Sequence, residues 1–177
     1  MLIVLLGGAR SGKSSAALRL ADGRDGDVCF VATSPRIEGD DDLASRIAAH
    51  RAERPAEWST IEAEIDLAAA IDAAGEATVV IDCLTVWLGN LMHHGHDDRA
   101  IIAASDVAIA AAARRVADTI IVSNEVGSGI VPGDSMSRRY RDLLGRINQH
   151  WVAASDAAHL VVAGRALPLH ELGRPLS

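Results

Sequence analysis

With 177 residues, the chain can bury roughly 70% of its unfolded surface in one domain spanning 1–177, without disulfides or a structural metal. Apolar residues make up 49% and aromatics 3%, a balance that favours helices packed on a small parallel sheet over an all-β sandwich. The formal charge of -7 argues against a nucleic-acid-binding face, and no run approaches the ~20 apolar residues that span a membrane.

In chain order, residues 2–6 form a continuous apolar run, as expected of a parallel strand buried on both faces. The run has no basic flank and leads straight into a glycine-rich loop, so it reads as a first strand of a cytoplasmic protein and not as a signal peptide. Residues 14–21 favour helix and stop at Asp22-Gly23, and 28–32 make a second strand. A helix opens at 39–42 and runs through Glu53 to Pro55; another covers 65–74 and stops at Gly75. Residues 77–82 form a central strand ending in an acid, followed by helices at 84–92 and 100–117. A strand at 119–123, a helix at 134–154 and a last strand at 160–163 complete the order. Strands alternating with helices predict an α/β fold of the P-loop NTPase-like kind, a doubly wound, mostly parallel sheet flanked by helices. The two cysteines, Cys29 and Cys83, each lie in an apolar run and read as free thiols in a reducing compartment.

Gly7-Gly8-Ala9-Arg10-Ser11-Gly12-Lys13-Ser14 fits G-x-x-x-x-G-K-[ST] between a predicted strand and a predicted helix, the context the motif requires. Glycines let the backbone curl so that its N–H groups converge on phosphate oxygens, and the helix start adds its positive dipole end. Lys13 is expected to reach the β- and γ-phosphates of GTP or ATP, and the Ser14 hydroxyl to ligate Mg²⁺. Asp82, at a strand's C-terminal end, is the second expected Mg²⁺ ligand; it also suits the N-cap of the helix that follows. Arg46 and His50 are four apart on one predicted helix face, with Arg51 and Arg54 close by. Arginines around a histidine favour its neutral, nucleophilic form and suit phosphate oxygens; a solvated face of mixed charge fits the same pattern.

At this point the chain resembles a known family. The residues that carry the likeness are the phosphate loop, Val31-Ala-Thr-Ser34, Arg46-Ile-Ala-Ala-His50-Arg51, Arg54-Pro55 with Trp58, and Thr60-Ile-Glu62. It continues through Asp82-Cys-Leu-Thr-Val-Trp-Leu-Gly-Asn-Leu91, Ser123-Asn-Glu-Val-Gly-Ser-Gly-Ile-Val-Pro132 and Arg141-Asp-Leu-Leu-Gly-Arg-Ile-Asn-Gln149. The chain is similar to the bifunctional adenosylcobinamide kinase / adenosylcobinamide-phosphate guanylyltransferase family of cobalamin biosynthesis. That resemblance implies two reactions with adenosylcobinamide and its phosphate as partners: phosphorylation of the aminopropanol hydroxyl by ATP or GTP, then GMP transfer from GTP through a GMP–histidine intermediate. It implies His50 as the catalytic nucleophile and nucleotide contacts at Ala32, Thr33, Ser34, Arg51, Ala52, Glu53 and Glu62, with Glu62 able to accept from a guanine edge. Glu125 fits a general base for the kinase step, or equally a loop anchor. Arg138, Arg139 and Arg141 suit a phosphate, a neighbouring subunit or an exposed helix face. A homotrimer is implied as well.

Other features read as bystanders. His93-His94-Gly-His96-Asp97-Asp98 invites a metal reading but fits a solvated turn between helices, and Trp58, Trp87 and Trp151 read as packing. His150, His159 and His170 read as positions without chemistry. Two alternatives stand beside the bifunctional enzyme: a single-activity P-loop small-molecule kinase without nucleotidyl transfer, and a nucleotide-dependent regulatory module.

Overall fold

The fold is that of a computed structural model, which describes residues 1–35, 51–52 and 54–172. Its centre is a seven-stranded sheet built from β1 (Leu2–Gly7), β2 (Val28–Ala32), β3 (Ser59–Glu62), β4 (Thr78–Asp82), β5 (Thr119–Asn124), β6 (Ala157–Val162) and β7 (Arg165–Pro168). The order across the sheet is β3-β2-β4-β5-β1-β6-β7, and every pair is parallel except β6 with β7. The helices are α1 (Lys13–Asp22), α2 (Leu67–Ala73), α3 (Leu84–His93), α4 (Asp98–Ala113), α5 (Ser135–Ala154) and the short α6 (Leu169–Leu172).

Why the strands read as unbroken apolar runs is visible in the core. Leu2, Val4, Leu6, Val79, Ile81 and Ile121 face a cluster with Leu67, Trp87, Ile101, Leu144 and Trp151 from α2 to α5. The alternate residues Ile3, Leu5, Phe30, Val80, Ile120 and Val122 face the opposite side, where α1 contributes Ala17 and Ala21. With both faces covered, the strand centres are apolar, and polar residues such as Thr78, Thr119 and Ser123 fall at the strand ends. Trp87 and Trp151 are fully buried and satisfy their indole N–H groups on Ile65 O at 2.7 Å and Ser105 Oγ at 3.1 Å. Trp58 packs at the edge of the α1-side cluster.

Two strands escaped the sequence reading. β3 is four residues of mostly exposed side chains, so neither an apolar run nor alternation marks it; it is held on β2 by backbone pairing and by Ser59 Oγ donating to Val28 O at 3.3 Å. The last predicted strand, 160–163, is part of the longer β6, which turns at Ala163-Gly164 into antiparallel β7. α4 begins two residues earlier than expected because Asp97 caps it, its carboxylate accepting from Ala100 N at 2.7 Å, and it ends at Ala113, not Ala117. The predicted helix from 39 to 53 lies outside the described residues, apart from Arg51 and Ala52, which are helical and exposed. No described helix is long and apolar enough to cross a membrane.

Candidate active site

The phosphate loop leaves β1 at Gly7, where a Cβ would stand 2.4 Å from Val161 O and 2.6 Å from Ser11 Oγ; only glycine fits there. Arg10 (φ 54) and Gly12 (φ 95) take left-handed backbone and curl the loop over the strand end. Backbone bonds then fasten it on both sides. Glu125 N donates to Gly7 O at 3.0 Å from the β5 end, and Gly164 N donates to Ser11 O at 2.8 Å from the β6–β7 turn. Ser11 Oγ is buried with no partner among the described residues. α1 starts at Lys13 with Gly12 as a cap that offers no side chain, so the helix presents its own first-turn amides and dipole end to the loop.

Lys13 is 7% exposed and donates from Nζ to Gly8 O at 3.0 Å. Burial lowers its pKa from the ordinary lysine value, while the charges of Cys83 and Asp82 act in the opposite direction. The Asp82 field therefore reaches Lys13 even though β5 lies between β1 and β4 in the sheet. Ser14, in the first turn of α1, and Asp82, at the end of β4, are both half-buried hard-oxygen donors, the donor type Mg²⁺ takes. Asp82 is not the N-cap of α3: Asp82 is the last residue of β4, and the cap position falls on Cys83, which makes no side-chain cap bond. Burial, and then the neighbouring Asp82 charge, push the Cys83 thiol up to about 11.

The parallel register lines up the expected nucleotide contacts at one edge of the sheet: Ala32 pairs with Glu62 on one side and with Asp82 on the other. Thr33 lies just beyond and is fully buried. Its hydroxyl accepts from Cys83 N and donates to Cys83 O, both at 2.9 Å, so its polar atoms hold the β2 and β4 ends together. Asn90 reaches up from α3 to donate to Thr33 O at 2.7 Å and Glu64 O at 3.1 Å. Ser34 is half-buried and Glu62 is exposed. Arg54 stacks its guanidinium over the Phe30 ring at 3.9 Å, within the fields of Arg51 and Asp82. His50, Arg46 and Glu53 lie outside the described residues.

On the other flank, Asn124 is in register with Gly7. Its N–H donates to Thr85 Oγ1 at 2.9 Å, and its carbonyl accepts from the buried Asn148 amide at 3.0 Å. Glu125 Oε1 accepts from Gly127 N at 2.5 Å, so in this conformation its carboxylate shapes its own loop. The three arginines of α5 are engaged within the chain. Arg138 donates to Pro132 O and Gly133 O at 2.9 and 2.7 Å, Arg139 pairs with Asp98 at 2.6 Å and also donates to His96 O, and Arg141 meets Asp142 at 2.8 Å. His94 meets Glu64 at 2.8 Å and His93 sits edge-on to His94. His150 bonds Asp106 at 2.9 Å and His170 lies 3.2 Å from Ser155 Oγ, away from the sheet edge where the loops gather. His159 sits in β6 with a buried, unpartnered Nδ1.

Sequence reasoning missed Thr85, Asn90, Tyr140 and Asn148 as the polar ties beneath this site. Asn90 and Asn148 did carry a signal: each is an amide at a buried position of an otherwise apolar helix face.

The sequence signature of the cobinamide kinase / cobinamide phosphate guanyltransferase family matches residues 3–169. The bifunctional adenosylcobalamin biosynthesis protein CobU of Salmonella typhimurium is 39% identical over 178 residues, covering 93% of this chain and 97% of that protein. CobP of Pseudomonas aeruginosa, described in the same words, is 39% identical over 175 residues, covering 98% of each. Among solved structures, an ATPase from the type III secretion system of pathogenic bacteria superposes with a TM-score of 0.56 at 10% identity. That superposition covers 98% of this chain and 59% of the ATPase chain, and it establishes a shared fold alone.

Proposed function

The chain belongs to the cobinamide kinase / cobinamide phosphate guanyltransferase family, and we propose that it carries both reactions, as a single domain over 1–177, at the edge where β1, β2, β3 and β4 end. The observation that carries this is the pairing of a buried Lys13, inside an amide-lined loop, with an Asp82 charge that reaches it. In the kinase step, the acceptor hydroxyl oxygen attacks the γ-phosphorus of ATP or GTP and the diphosphate leaves. Gly7 to Ser14 cradle the phosphates, Lys13 offsets the charge gathering on the leaving oxygens, and Glu125 takes the hydroxyl proton once it turns from Gly127. Ser14 and Asp82 would hold Mg²⁺, which supplies further positive charge between the phosphates.

In the second step the imidazole of His50 attacks the α-phosphorus of GTP and pyrophosphate leaves. The phosphate of the cobinamide phosphate then displaces the imidazole, giving adenosylcobinamide-GDP and free His50. Ala32, Thr33, Ser34, Arg51, Ala52, Glu53 and Glu62 form the nucleotide's surroundings in this reading. Glu62 is exposed and level with Asp82 across the sheet edge, free of burial that would oppose contact with a guanine edge.

The test is to incubate the protein with Mg²⁺ and GTP labelled at the α- or the γ-phosphate, then denature it, using wild type and His50→Ala. Label retained only from the α position, labile to acid, stable to alkali and absent from the variant is the expected result. No retained label, with GTP still bound and cobinamide still phosphorylated, would leave a single-activity kinase.

A further inference from the structure

Gly89 stands in the middle of α3, where glycine weakens a helix. Packing does not demand it, because a Cβ there would meet nothing within 4 Å. The space above it is the floor of a groove of about 520 Å³ between α3 and α5, lined by Gly89, Met92, His93, Met136, Ser137, Tyr140 and Arg139, whose guanidinium is paired with Asp98. An apolar side chain of its lining stands in water: Met136 is 71% exposed.

The groove has an inner end. Tyr140 OH donates to Thr85 O at 2.9 Å, and Thr85 Oγ1 accepts from Asn124 N, whose residue is in register with Gly7 of the phosphate loop. Thr85, Gly89 and Met92 are spaced four and three apart, so they share one face of α3. That face leads from Thr85 to the groove at Gly89 and Met92 over about two turns, ~10 Å.

We propose that this groove seats the macrocyclic body of the cobinamide acceptor, with its hydroxyl-bearing arm pointing past Thr85 and Asn124 to the γ-phosphate. The proposal rests on the functional reading above and names where the second substrate of that site lies. Such an acceptor joins one small reacting group to a broad, rigid ring, so its seat must adjoin the phosphate loop and be wide, shallow and mainly apolar. The thioethers of Met92 and Met136 mould to an irregular apolar surface, and the glycine lets a ring edge approach the helix backbone.

Two variants test it. Gly89→Leu fills the floor from a Cβ position that meets nothing within 4 Å, and Met136→Glu alters an exposed lining position. Each is compared with wild type in GTP affinity by calorimetry, thermal unfolding, sedimentation, and equilibrium dialysis of cobinamide read by its own visible absorbance. Both variants should bind GTP as wild type does and keep its sedimentation, while cobinamide binding weakens at least tenfold. Wild-type cobinamide binding by both variants would overturn the groove and leave the functional reading intact. So would a changed sedimentation, which would make the groove a contact between copies, or a parallel loss of GTP binding. Absence of cobinamide binding by wild type itself would overturn both.

Discussion

Two glycine-rich loops leave neighbouring strands of the sheet, one after β1 and one after β5, and they are built on opposite principles. In the first, shape is dictated from all sides: Gly7 is wedged against Val161 O, Gly12 is left-handed, and backbone bonds arrive from both flanks. In the second, a Cβ on Gly129 or Gly133 would meet nothing within 4 Å, and Ile130 and Val131 are exposed. That loop is held at its ends, by Glu125 N on Gly7 O and by Arg138 on the carbonyls of Pro132 and Gly133. A loop that must place amides around phosphate is over-determined. A loop fastened only at its ends leaves its apolar residues available to another molecule.

The largest effect that sharpens this contrast is chemical. Lys13→Ala should lower kcat for phosphoryl transfer by a factor on the order of 100 to 1,000, as removal of one preorganised charge does. The fold should stand, since the substitution deletes a cation whose burial is costly; steady-state kinetics beside thermal unfolding checks both. Next, the two loops should answer the same mutation differently. Gly7→Ala forces backbone apart and should cost about 1–3 kcal/mol with loss of GTP affinity. Gly129→Ala should change stability by less than about 0.5 kcal/mol. Equal sensitivity in denaturant melts would break the comparison. Arg138→Ala should release one end of the second loop, raising proteolytic cleavage at 126–133 several-fold in limited digests while GTP affinity stays put.

The smallest effect is a titration. Tyr140 is the chain's single tyrosine, and burial, followed by the Cys83 charge, raises its phenol above the ordinary range. At about pH 10, where a free tyrosine is half ionised, native protein should show almost no phenolate absorbance, and unfolded protein about half of its full phenolate signal. The sign follows from linkage. A raised folded pKa means a contribution to stability that is whole below about pH 10 and fades as pH climbs toward the folded value.

How much of this was legible in the chain depends on how local the cause is. The phosphate loop announced itself because curled backbone, dipole and ammonium must sit at fixed spacing in eight consecutive residues. β1, β4 and β5 announced themselves because strands covered on both faces carry nearly continuous apolar runs, with polar residues only at their ends. β3 did not: four mostly exposed residues on an edge owe their strand to a neighbour's hydrogen bonds, and those leave no mark in composition. The arginines of α5 read as solvated or as phosphate ligands; only the fold brings Asp98, His96 and the 132–133 carbonyls to them.

The sequence by itself therefore determined the fold class, the phosphate loop and, by resemblance, the family. Each rests on short-range spacing or on an ordered series of motifs. Only the tertiary structure decided that Thr33 spends its hydroxyl on Cys83, that Cys83 and not Asp82 caps α3, and that Gly89 floors an open groove. Those facts depend on residues tens of positions apart meeting at the ends of parallel strands, where register across the sheet, and not order along the chain, selects the neighbours.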